Sequence, residues 1–238
     1  MKGKKLISCL LTVLLFAVAM RGLQVYLRNP VIWESPSVFR VAEEDETKPR
    51  ADTSGDWKLI LVNSRSDIPL NYEPELLTLS NGRKVDVRIY PPLQAMFDEA
   101  RSTGLQLFVR EGYRTKEEQQ AILDERIREY RLEGYSEAEA MRQALYWVAL
   151  PGTSEHELGI AVDINPNLDI SSREEVYGWL EENAHRYGFI KRYPADKTEI
   201  TGVSNEPWHF RYVGEEAAEE IYKNGWCLEE YIEELKKR

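Results

Sequence analysis

Cysteine is nearly absent from this 238-residue chain: Cys9 lies in an apolar leader and Cys227 in NGWCLEEY. Without a Cys-x-x-Cys spacing or a plausible pair, the chain holds no thiolate metal site, no dithiol redox motif and no disulfide framework, and neither thiol reads as a nucleophile. Histidine is scarce too, with only His156, His185 and His209. Positive charge is in deficit: 31 Lys and Arg against 41 Asp and Glu leave a net charge of −10. Binding a nucleic-acid backbone needs clustered cations that release counterions, so nucleic acid is excluded as a partner. There is no internal repeat, and helical and strand-like segments do not alternate as βαβ units, which favours an α+β fold over a doubly wound sheet.

What is present argues for a folded protein, long enough for one large domain or two small ones. Hydrophobic residues make up 42% of the chain, with 13 tyrosines and 6 tryptophans, and the length suffices to bury a sizeable core. The start, MKGKKLISCLLTVLLFAVAM, places Lys2, Lys4 and Lys5 before an apolar run from Leu6 to Met20. This is the pattern of a secretory signal peptide, with Ala17-Val18-Ala19 as a cleavage site, or of a short uncleaved anchor. Either reading for residues 1–27 exports the rest and puts the protein outside the cytoplasm. Residues 28–56, with three prolines and the acidic run EEDETKPR, read as an extended linker. The remaining stretch, 57–238, is the expected folded domain, in which short strands and helices are mixed.

Within that domain, WKLILVN at 57–63, VDVRIY at 85–90, LQLFVREGY at 105–113, the IAVDI of 160–164 and EPWHFRYV at 206–213 carry β-type patterns. Helices are predicted after Pro91-Pro92, over the charged stretch 116–148 with a break at Gly134, over SREEVYGWLEENAHRYG, and along the C-terminal tail. The tail carries carboxylates early and lysines late, as a helix dipole prefers. The acidic face of 117–140 reads as a solvated helix surface.

The chemistry-bearing residues sit in two segments. SEHELGIAVDI at 154–164 sets His156 and Asp163 in an otherwise apolar, strand-like run. It begins like the H-E-x-x-H helix of a metalloprotease, but Ile160 occupies the position of the second histidine. If His156 and Asp163 bind a metal, a third ligand is required, since catalytic zinc takes three protein ligands and keeps one position open. His185, near the end of an amphipathic helix, reads as a partly exposed structural histidine. His209 lies in a strand-like stretch three residues after Glu206. Residues three apart on a regular strand face opposite ways, so a shared site for these two requires a bend at Pro207.

Together, SEHELGIAVDI and EPWHFRYVG resemble the Ser-x-His-x-x-Gly-x-Ala-x-Asp and Glu-x-Trp-His signatures of the VanY-type zinc D-alanyl-D-alanine carboxypeptidases. GYRTKEEQ is similar to that family's Gly-Tyr-Arg-Ser-x-x-x-Gln stretch, and the likeness covers roughly 57–234. The resemblance implies that His156, Asp163 and His209 bind Zn²⁺ and that Glu206 is the general base toward the attacking water. It implies that Arg114 stabilises the oxyanion, that Ser154 contacts the substrate, and that Gln119 and Trp208 shape the pocket. The substrate implied is the peptidoglycan stem peptide, cut at its C-terminal D-alanine. An L,D-carboxypeptidase acting on tetrapeptide stems and a non-hydrolytic wall-peptide binding module are the alternatives; Glu206 argues against the second. Gly159 and Ala161 suit a strand that another backbone approaches closely, and Glu155 and Glu157 are expected to face solvent. Two positions depart from the family pattern. Thr115 keeps the hydroxyl of the usual serine, whereas Glu111 places a carboxylate near a site for an anionic peptide terminus.

Overall fold

The computed structural model describes residues 55–238; the leader, the linker up to residue 54 and Cys9 lie outside the described residues. Among the described residues no helix is long and apolar enough to cross a membrane. The architecture is α+β. Strands β1 (Leu76–Thr78) and β2 (Lys84–Asp86) form a two-stranded antiparallel ribbon. A four-stranded antiparallel sheet is built from β3 (Leu107–Glu111), β4 (Ala161–Pro166), β5 (Phe189–Lys191) and β6 (His209–Tyr212), in the order β3-β4-β6-β5.

The helices are α1 (Tyr90–Ser102), α2 (Lys116–Leu132), α3 (Glu137–Ala144), α4 (Arg173–Asn183), α5 (Glu215–Asn224) and α6 (Leu228–Leu235), with one helical turn at Thr198–Thr201. Three of them open on a Ser or Thr capping box, with Thr115, Ser136 and Ser172 each accepting from the backbone three residues on while Glu118, Glu139 and Glu175 reach back, and Glu230 likewise accepts from Cys227 N at the start of α6. Alternation then divides the sheet. Val162, Ile164 and Phe210 turn to one face, where they join Leu93, Met96 and Phe97 of α1 in the main core. Asp163 and His209 turn to the other.

Two predicted strands are absent or shorter than expected. Residues 57–63 form a 3₁₀ turn at Trp57–Leu59, capped by Asp56, and then one bridge between Asn63 and Ser66. The carbonyls of Lys58 and Ile60, which a neighbouring strand would take, are instead bound by the Arg211 guanidinium, each at 2.9 Å. Strand β2 stops at Asp86 because that side chain accepts from Arg88 N and starts a 3₁₀ turn leading into α1. The C-terminal tail is two helices, broken at Gly225.

Candidate metal centre and its pocket

Asp163 and His209 are directly opposed in the β4–β6 register, so their side chains stand side by side on the same face of the sheet. His156 arrives differently from the sequence expectation. It lies not in a strand but in a four-residue 3₁₀ turn, Glu155–Leu158. Gly159 ends that turn at φ 73°, a conformation that favours glycine, and its carbonyl takes the Asp86 N–H at 2.8 Å. The close backbone approach expected for a strand glycine is therefore made from a turn.

The histidine is clamped by the Gly-Tyr-Arg segment. Its Nδ1–H donates to Gly112 O at 2.8 Å, and Arg114 N donates to His156 O at 3.2 Å. Gly112 itself must be glycine, since a Cβ there would lie 2.1 Å from Lys84 O. With Nδ1 committed to a carbonyl, the His156 tautomer is fixed and Nε2 offers its lone pair to the site.

His156 Nε2 lies 3.4 Å and His209 Nδ1 3.1 Å from Asp163 Oδ1. One donor atom from each of the three buried residues falls within a common span of 4.8 Å. Asp163 Oδ1 is buried yet makes no hydrogen bond of acceptable geometry. Two imidazoles and a carboxylate converging around an unsatisfied oxygen fit a cation, and three protein ligands with a cavity in front fit catalytic zinc. His185 is not part of the cluster: it stacks on Tyr222 with ring centroids 3.8 Å apart and pairs with Glu219 at 3.2 Å.

Glu206 is brought to the same place by the predicted bend. Pro207 and Trp208 form a turn before β6, His209 N bonds to Glu206 O at 3.2 Å, and Glu206 Oε2 ends 3.6 Å from His209 Nδ1. Burial pushes the Glu206 carboxyl up to about 7, against the lowering effect of His209 and Arg114. Burial alone would lower the His209 pKa, but Asp163, Glu155 and Glu206 outweigh it and push it up to about 9. For Asp163 burial is outweighed by the two histidines, which hold its carboxylate well below the usual range. Burial and Arg114 lower the His156 pKa.

The cavity in front of these groups has a volume of about 490 Å³. Ser154 and Trp208 line it as expected. Arg114 reaches in with Nη1 held by Gln119 Oε1 at 3.0 Å and Nη2 3.4 Å from Asp163 Oδ2, while Gln119 Nε2 donates to Ala149 O at 2.8 Å. Gln119 is thus a buried brace for Arg114 as well as part of the wall. Glu111 does not line the cavity. Its carboxylate sits behind Arg114, 2.9 Å from Arg83 Nη1 and 3.4 Å from Arg114 Nε. Thr115 uses its retained hydroxyl to cap α2 directly after Arg114. The outer wall, from Ile122, Arg126, Tyr130 and Trp147, carried no signal in the sequence.

Both flanking glutamates correct the expectation of solvent exposure. Glu155 is 1% exposed and its Oε1 takes Arg192 Nε and Arg211 Nη1, each at 2.8 Å. Glu157 is half-buried, accepts from Gly152 N at 2.8 Å, and is pushed up to about 7 by burial.

Sequence comparison agrees with the geometry. The family described as VanY, D-alanyl-D-alanine carboxypeptidase, matches residues 82–215. The chain belongs to the VanY family. A D-alanyl-D-alanine carboxypeptidase of Enterococcus faecalis is 57% identical over 192 residues, covering 79% of this chain and 72% of that one. Among solved VanY structures, a mutant vancomycin-resistance D,D-pentapeptidase from a VanB-type cassette, in complex with Zn(II), is 59% identical with a TM-score of 0.73, covering 74% of this chain and 99% of that one. VanYB in complex with D-alanine-D-alanine is 58% identical with a TM-score of 0.74, covering 75% and 98%.

Proposed function

We propose that this VanY-family chain is a zinc-dependent D,D-carboxypeptidase that removes the C-terminal D-alanine from peptidoglycan stem peptides. The observation that carries the reading is the convergence of His156, Asp163 and His209 beside the buried carboxyl of Glu206. The zinc reported in one VanY relative and the D-alanine-D-alanine in another support metal and substrate alike.

In this reading His156 Nε2, His209 Nδ1 and Asp163 would hold a zinc ion, which would supply Lewis acidity to the site. Glu206 takes the proton of the attacking water as its oxygen adds to the carbonyl carbon. Arg114 donates to the carbonyl oxygen as it becomes an oxyanion, its aim fixed by Gln119. When the C–N bond breaks, Glu206 passes the proton to the departing amine, giving free D-alanine and a peptide shortened by one residue. Ser154 and Trp208 contact the peptide. Burial of Glu206 suits this role, because a carboxyl near neutrality can both accept and return a proton.

Export completes the proposal: residues 1–27 act as a leader or anchor, residues 28–56 as a tether, and the catalytic domain works outside the cytoplasm as a monomer. Support comes from Lys2, Lys4 and Lys5 ahead of the apolar run. The test incubates the protein with pentapeptide and tetrapeptide precursors and identifies the product. D-Alanine released from pentapeptide is the expected result. Cleavage of tetrapeptide alone would make the enzyme an L,D-carboxypeptidase, and binding without release would make it a recognition module.

A further inference from the structure

Behind the metal cluster lies a buried chain of ion pairs that the proposed reaction does not use. His209 Nε2 has no hydrogen bond and faces Glu155 Oε2 at 3.7 Å. The other oxygen of Glu155 is shared by Arg192 and Arg211. Arg192 then makes a two-pronged contact with Glu229 on α6, Nη1 to Oε2 at 2.8 Å and Nη2 to Oε1 at 2.7 Å, and Asn63 Nδ2 donates to Glu229 Oε1 at 3.2 Å. Arg192 and Arg211 are 0% exposed. Two guanidinium groups thus face two carboxylates where water cannot screen them.

We propose that Glu229, on the C-terminal helix, tunes the metal centre: paired with Arg192, it keeps the buried charge behind the metal balanced. The argument rests on the zinc reading above. Glu155 Oε2 is the carboxylate oxygen facing the ring nitrogen that points away from the cluster, the side from which a carboxylate orients a metal-bound imidazole. If Glu229 loses its charge, Arg192 and Arg211 are opposed by Glu155 alone. One uncompensated positive charge then sits behind a dication, in a medium where such repulsion is strong. If Arg192 is neutralised instead, the imbalance is negative and should favour the ion. A residue that served only packing would weaken the site whichever partner was changed.

The test measures zinc affinity of the full chain by chelator competition, starting from metal-free protein, for Glu229→Gln, Arg192→Gln and the double variant. Glu229→Gln should bind zinc about tenfold more weakly, the low end for groups that orient a metal ligand. Arg192→Gln should bind at least as tightly as the unaltered chain, and the double variant should return to within about threefold of it. Equal affinity in Glu229→Gln and the unaltered chain overturns the inference, as does weakening of similar size in all three variants. If Glu229→Gln does not fold, the comparison of Arg192→Gln with the double variant decides: the double must bind more weakly than the single for the inference to hold. Failure of the unaltered chain to bind zinc would overturn the functional reading itself and is distinguishable from each of these results.

Discussion

Replacing Glu206 by Gln separates two consequences of burying a carboxyl beside a metal cluster. The side chain keeps its shape, but it can no longer accept a proton. General-base catalysis is worth 10²–10⁴-fold, so the variant should release D-alanine at least about 10²-fold more slowly with zinc saturating. The same burial has a cost in the metal-free protein. A carboxyl moved from 4.5 to about 7 resists ionisation by about 3 kcal/mol at most. Because its folded pKa is raised, the folded state holds more protons than the unfolded state between those values. Stability therefore falls as pH rises through that window and stays low above it. Metal-free Glu206→Gln should then match the parent below pH 4.5 and melt higher at pH 8, by up to about 5–10 °C for a domain of this size. The assays are amino-acid release at saturating zinc and thermal melts of chelated protein at both pH values. Near-normal turnover of the variant would refute the base assignment, and identical melts at pH 8 would refute the burial argument.

Changing His156, Asp163 or His209 to Ala should abolish tight zinc binding, whereas His185→Ala, whose ring stacks on Tyr222, should leave it intact; metal content after dialysis reads the difference. Arg114→Lys keeps the charge but loses the planar fork whose Nη1 is held by Gln119 while Nη2 points to the cluster, so kcat should fall about 10²–10³-fold in steady-state assays. A raised KM with unchanged kcat would make Arg114 a binder of the substrate carboxylate instead. Zinc must displace a proton from His209, whose pKa in the metal-free pocket is about 9. Affinity should therefore fall by up to tenfold per pH unit below that value, with proton release on binding; pH-independent affinity in a competition titration would contradict the assignment.

The cluster was legible through the family motifs and not through composition: His209 taken alone reads as a core histidine, and it was the resemblance that joined it to His156 and Asp163, which the structure brings together. Pro207 announced the bend that turns Glu206 toward His209. The capped helices were legible because their signals are local. What escaped the sequence is long-range. Glu155 read as a solvent residue because the arginines that bury it are 37 and 56 positions away. The turn carrying His156 read as strand because apolar alternation continues through Gly159, and only the positive φ there reveals that the chain reverses. The segment at 57–63 had strand composition, but Arg211 claimed the carbonyls that pairing would need.

The pocket has two kinds of wall. Its inner groups stand on β4, β6 and the short spans at 112–114 and 154–156, where the Gly112 contact leaves almost no freedom to vary. Its outer wall, Ile122, Arg126, Tyr130 and Trp147, is carried by a helical hairpin whose own apolar cluster, from Leu123 to Val148, is separate from the main core. Selection can therefore exchange the outer-wall residues of the hairpin to admit a different peptide without disturbing the His156–Asp163–His209 cluster or Glu206, so long as Gln119, which braces Arg114 from the same hairpin, is kept. Substrate range and reaction chemistry can evolve at different rates in one small domain, and a change in which wall peptide is trimmed needs no new catalyst.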